Sequence, residues 1–197
     1  MAQNLDKYRV LVLCEDTSHY HFVRGFLLAQ GIRDNRQFTL YKELPEGSGS
    51  GSRFVQMHFP NAYEEYNRKS ENVLLVVVLD IDKEDIMPED IKEQLNKILK
   101  KDKSLTIAAS DKLLLVFPKR NIETWFEWLS QEPPRPQINE AKDYKSKNRN
   151  AKPTKMGRMA SDLYKQSRAD TTICENVPAS LLFACNAFTS LCGALKS

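Results

Sequence analysis

The sequence predicts an α/β protein with a mostly parallel central sheet, flanking helices and a C-terminal helical extension. Three observations lead there. The run Val73-Leu74-Leu75-Val76-Val77-Val78-Leu79 is continuously aliphatic, which suits a strand covered on both faces. Similar runs alternate with stretches whose apolar residues recur at helical spacing, the signature of crossover-linked parallel strands. The 197 residues suffice for one good-sized domain with a full core.

The elements follow in order. Tyr8 to Cys14 reads as the first strand, with Glu15 and Asp16 at its C-terminal end. Thr17 or Ser18 can cap the next helix, which carries Phe22, Val23, Phe26 and Leu27 on one face and stops at Gly31. Gln37 to Leu44 looks like a second strand. The loop Pro45 to Ser52 holds three of the seven glycines. Ser52 is a cap candidate for a helix through Val55 and Phe59 to Tyr66, and Pro60 predicts a break or kink in it. After the aliphatic strand come a helix over Pro88–Lys101, a strand over Lys112–Phe117 and a helix over Asn121–Leu129. Pro133, Pro134 and Pro136 close the compact part. Two helices, near 153–167 and 178–195, complete the chain. The domain reading is therefore 1–130 for the α/β unit, 131–152 for a basic Pro/Lys-rich linker or loop, and 153–197 for helices packed on the same core.

Composition removes several classes of function. No apolar run is long enough to span a membrane, and residues 1–7 carry no signal-peptide core, so a cytoplasmic location is expected. Cys14, Cys174, Cys185 and Cys192 form no CxxC pair and read as reduced, mostly buried thiols. With His19, His21 and His58 they show no zinc-like spacing. Charge is uneven. Residues 131–158 hold eight basic side chains (Arg135, Lys142, Lys145, Lys147, Arg149, Lys152, Lys155, Arg158) and three acids (Glu132, Glu140, Asp143), a net +5. The rest of the +3 chain is thus −2. Such a stripe suits a nucleic-acid backbone or a solvated linker. Tyr144 within it and Tyr164 just beyond it either stack on bases or pack inward.

Chemistry concentrates at the predicted C-terminal ends of strands, where open α/β sheets place their sites. Asp80 and Asp82, at i and i+2, leave the strand on the same side. Two like charges there suit a divalent cation, Mg²⁺ or Mn²⁺, while the alternative has Asp80 capping a turn and Asp82 solvated. Glu15 adds a third carboxylate from another core strand. Lys119 and Arg120 follow a later strand, where cations can neutralise a phosphoryl transition state. Glu123 is a further ligand candidate or an acid favoured by the helix N-terminus. His19 is a candidate substrate contact or base. His19 and His21 lie on different faces of a helix, which disfavours a two-His metal site. His58 reads as structural. Arg53, beside a Gly/Ser loop whose amides can cradle a phosphate, is a substrate-binding candidate, as are Lys145, Lys147 and Arg149. The loop lacks a Gly-Lys-Ser/Thr ending, so P-loop nucleotide binding is not expected.

Leu13-Cys14-Glu15-Asp16, Asp80-Ile81-Asp82 and the segment from Val116 to Trp125 together resemble the TOPRIM domain of topoisomerases, primases and OLD-family nucleases. The segment Val116–Trp125 is similar to a phosphate-side motif of small standalone TOPRIM-like proteins from bacterial defence loci. The resemblance covers roughly residues 8–129. It implies that Glu15, Asp80 and Asp82 are metal ligands, with Glu15 also a candidate general acid/base. It further implies a nuclease, a toxic anti-phage effector and a co-encoded ATPase partner. One departure is Asp16, where the family usually has glycine. The expected function is a Mg²⁺-dependent nuclease using Glu15, Asp80, Asp82 and Lys119. A non-catalytic subunit docking on an ATPase and a receiver-like phosphoacceptor domain are the alternatives, and self-association is left open.

Overall fold

The computed structural model describes residues 5–42, 51–69, 72–133, 135–170 and 175–195. Four strands lie in the order β2-β1-β3-β4, all parallel: β1 (Arg9–Cys14), β2 (Phe38–Leu40), β3 (Val73–Val78) and β4 (Leu113–Val116). Among the described residues six α-helices flank them: α1 (Thr17–Ala29), α2 (Gly51–Arg68), α3 (Pro88–Lys103), α4 (Ile122–Leu129), α5 (Pro153–Ser167) and α6 (Ala179–Ala194). This is the expected α/β class, with a Rossmann-like, doubly wound arrangement.

Strand alternation divides the core. Val10, Val12, Leu74, Val76, Leu114 and Val116 face a layer made by α1, α4, α5 and α6. Leu13, Leu75, Val77 and Leu115 face α2 and α3. Both faces are buried, so the strands carry no polar alternation. Helix α6 follows the open edge at β4. Its Leu181, Phe188 and Leu191 join the first layer, while Phe183 stacks on Phe117 of the second, with ring centroids 5.9 Å apart. That placement shields an edge that would otherwise offer unpaired strand groups.

Several local expectations shift. Asp16, not Thr17 or Ser18, caps α1, because its carboxylate accepts the His19 N–H at 2.9 Å. Strand β2 is shorter than expected, and residues 43–44 lie outside the described residues. Most of the Gly/Ser loop (45–50) and Cys174 also lie outside them. Ser52 sits inside α2 rather than at its cap. Pro60 does not end the helix, which runs on to Arg68. Its missing N–H costs a bond, yet Val55, Phe59, Ala62, Tyr63 and Tyr66 bury one continuous face, and that burial outweighs the loss. Residues 135–152 are non-helical, but Tyr144 is buried against the body. Tyr164 packs on Phe26 and Phe188. No helix is long and apolar enough to cross a membrane among the described residues.

Candidate acidic centre

Strand β1 connects outward to β2 on one side, and the chain then returns past β1 to β3 on the other. The crevice beyond the C-terminal ends of β1 and β3 is therefore the topological switch point, where such sheets bind ligands. Glu15 follows β1 and Asp80 follows β3. The two meet: the Asp80 N–H donates to Glu15 Oε1 at 2.7 Å. Parallel pairing holds the rest of the β3 exit in place, through Ile81 N–H to the Pro118 carbonyl and Arg120 N–H to the Ile81 carbonyl, both at 2.8 Å. Arg120 takes a left-handed backbone there (φ 65°), a conformation uncommon outside glycine.

His19 completes this contact. Its ring is 0 % exposed, and Nε2 lies 2.9 Å from Asp80 Oδ1. Nδ1 lies 3.1 Å from Asp16 Oδ1, an ion-pair distance that lacks hydrogen-bond alignment. Burial alone would drive the imidazole neutral, but Asp80 and Asp16 reverse this and hold its pKa well above the ordinary value. Asp16 feels burial too, yet the His19 contacts pull it down to about 2. The expected substrate contact at His19 is thus a buried counter-ion of Asp80, without surface to offer a substrate.

The neighbouring acids respond to one another. Glu15 is pushed up to about 7, first by burial and then by the charges of Asp80 and Asp82. Glu123, in the first turn of α4, is also raised, by burial and then by Asp80 and Asp16. Five carboxylates therefore share one field around one imidazolium. Glu15 has a further neighbour that sequence reading missed. A Cβ at Gly51 would fall 2.2 Å from Glu15 Oε2, so the start of α2 approaches that carboxylate as only glycine allows. A glycine opening an apolar-faced helix was the sole signal, and it did not reveal its neighbour.

The basic candidates are placed differently from the acids. Lys119 Nζ donates to the carbonyls of Glu84 and Ile86, each at 2.6 Å. Arg120 donates to the Asp82 carbonyl at 3.2 Å. Both pin the loop that carries Asp82, whose side chain is exposed. Lys119, the lysine a receiver-like domain would need at Asp80, donates instead to the Glu84 and Ile86 carbonyls. The turn holding Lys119 is anchored in turn. Lys119 N–H and Trp125 Nε1 both donate to Ser180 Oγ, at 3.2 and 2.8 Å, and Ser180 bonds Glu140. Asn121 caps α4 through Thr124 N–H and reaches Asp143. Lys145 and Arg149 are exposed, whereas Lys147 pairs with Glu127 at 3.6 Å. Arg53 is exposed near the start of α2.

Among the described residues, no three His, Cys, Asp or Glu side chains converge on a metal-holding position. The donor chemistry still suits Mg²⁺, which binds through one or two carboxylates and keeps waters on its remaining positions. Glu15, Asp80 and Asp82 offer oxygen donors and crowded negative charge of that kind. No protein-family model matches the chain, and no curated protein or solved structure matches it either.

Proposed function

We propose that the chain is a Mg²⁺-dependent nuclease that hydrolyses phosphodiester bonds of DNA or RNA at the Glu15–Asp80 centre. The observation that carries this reading is the 2.7 Å bond joining the ends of β1 and β3 at the switch point, with Asp16, Asp82 and Glu123 crowded around it. Glu15, Asp80 and Asp82 would hold the ion, with Glu123 adjacent. A bound Mg²⁺ (or Mn²⁺) supplies charge neutralisation and lowers the pKa of a coordinated water. The chain does the rest. Glu15, pushed up to about 7 without the ion, would give up its proton as the ion binds. His19 fixes the Asp80 carboxylate. Lys119 and Arg120 hold the Asp82 loop in register. Lys145 and Arg149 present charge to a phosphate backbone. A toxic anti-phage effector acting in the cytoplasm with a co-encoded ATPase is the finer form of this reading, and it rests on the TOPRIM resemblance.

One observation favours a second reading, a non-catalytic subunit that docks on the ATPase. Lys119 and Arg120, the two cations expected to face a transition state, are both engaged by backbone carbonyls. Mg²⁺-dependent cleavage of plasmid, single-stranded DNA and tRNA separates the two. The wild type, alone and with any co-encoded ATPase, is compared with Glu15→Gln and Asp80→Asn. The nuclease reading expects cleavage that falls about a hundredfold or more in both variants. A wild type as inert as its variants in every arm leaves only the subunit reading.

A further inference from the structure

A row of rings leads away from the acidic centre. Phe54 and His58, one turn apart on α2, meet edge to face with centroids 4.6 Å apart. His58 and Tyr41, at the end of β2, lie 6.5 Å apart at 50°. All three are half-buried: Tyr41 and Phe54 rest on the core beneath, and their outer sides are open to solvent. Met57, 61 % exposed, borders them. The row starts at the centre, because Gly51, three residues before Phe54, touches Glu15. Tyr41 is fixed at the same end of the sheet by its N–H bond to the Val12 carbonyl, 2.9 Å long.

Among the described residues beside the rings on β2 and α2, the unpaired charge is positive. Lys42 and Arg53 are exposed, and neither joins an ion pair among the described residues. The acids further along α2 are matched, Glu64 with Lys103 and Glu65 with Lys69. Burial and Lys42 hold the His58 pKa below its ordinary value, so its ring is neutral near pH 7. Neutral rings flanked by cations suit a base with its phosphate. A duplex keeps its bases stacked on one another, whereas a single strand can lay them on protein rings.

We propose that Tyr41, Phe54 and His58 form a stacking platform for a single-stranded nucleic acid entering the Glu15–Asp80 centre, with Lys42 and Arg53 on its phosphates. The role of the strand rests on the nuclease reading, but binding to the platform is measurable without it. The full chain is titrated in EDTA, where no cleavage occurs, against labelled oligothymidylate and oligouridylate of about 12 nucleotides and a matching duplex. Anisotropy reports affinity. We expect a single strand, DNA or RNA, to bind more tightly than the duplex. Phe54→Leu with Tyr41→Leu is expected to weaken single-strand binding roughly tenfold and to leave duplex binding unchanged. Arg53→Gln is expected to lower the salt slope by about 0.7. His58→Gln, which keeps polarity and removes the ring, serves if the leucine variant is unfolded by thermal melting. Unchanged single-strand affinity in a folded variant overturns the platform, as does an equal loss for strand and duplex. The two readings fail separately: platform binding without cleavage sinks only the nuclease, and cleavage with unchanged binding sinks only the platform.

Discussion

Asp80 is held at both its backbone and its side chain, by Glu15 and by His19, and this has a consequence for pH. Glu15 keeps its proton in the folded chain up to about 7, above the ordinary 4.5. Between those values the unfolded chain has already released it, so stability falls as pH rises. His19 contributes stability that is fully present below 6.5 and is lost as pH rises through its raised folded value. The two act in the same direction. Asp16 acts oppositely, but only as pH falls from 3.8 toward about 2, outside that window. The metal-free melting temperature is therefore expected to decline from about pH 5 to about pH 8. Glu15→Gln should flatten the lower part of that decline. His19→Asn, which leaves the buried Asp80 carboxylate without its partner, should destabilise the chain by about 3 kcal/mol at pH 6, read by urea denaturation. Added Mg²⁺ should stabilise more at the upper pH, where its carboxylate ligands are deprotonated. A metal-free curve that rises with pH would contradict this account of the centre. The acids were legible in the sequence because each directly follows an aliphatic run. His19 was not legible as their counter-ion, since its ring direction depends on how α1 crosses the sheet.

Helices α1 and α5 pack at backbone distance. A Cβ at Gly157 would fall 2.0 Å from the Phe22 carbonyl, and one at Gly25 would fall 2.2 Å from the Thr154 carbonyl. Mid-helix alanine is worth about 1 kcal/mol more than glycine by intrinsic propensity. Here the obstructing atoms are backbone, which cannot rotate away, so overpacking wins. Gly25→Ala and Gly157→Ala are each expected to destabilise by about 2 kcal/mol net, read by urea denaturation. Equal or higher stability would mean that the two helices are free to part. The elements themselves were largely legible. Pro153 and the following periodicity mark α5, and the apolar run after Pro178 marks α6. The glycine seam was not, because a lone glycine in a helix gives no sign of what lies opposite. Pro60 misled for a related reason: a local breaker says nothing about the buried face that carries α2 past it.

At the scale of the molecule, residues 143–148 of the basic segment pack against α4 rather than hanging free. Asn148 bonds Glu127 and the Glu123 carbonyl, and Tyr144 is buried. Its exposed cations therefore keep a fixed position relative to the acidic centre. Lys147 is partly neutralised by Glu127, which leaves Lys145 and Arg149 as the better phosphate contacts. Lys145→Gln with Arg149→Gln is expected to reduce the salt slope of single-strand binding by about 1.4, two contacts at about 0.7 each. An unchanged slope would remove the segment from the nucleic-acid path. By itself the sequence determined the class of this protein: which segments are strands, which are helices, and that three carboxylates leave strand ends. Those properties follow from periodicity and from the chemistry of adjacent residues. Only the tertiary structure decided that Glu15 touches Asp80, that His19 lies buried between Asp16 and Asp80, that Gly51 abuts Glu15, and that Lys119 and Arg120 turn to carbonyls. Each of these contacts joins residues from separate elements. They are set by strand order and helix packing, which bury the same periodic faces whichever partners those faces meet.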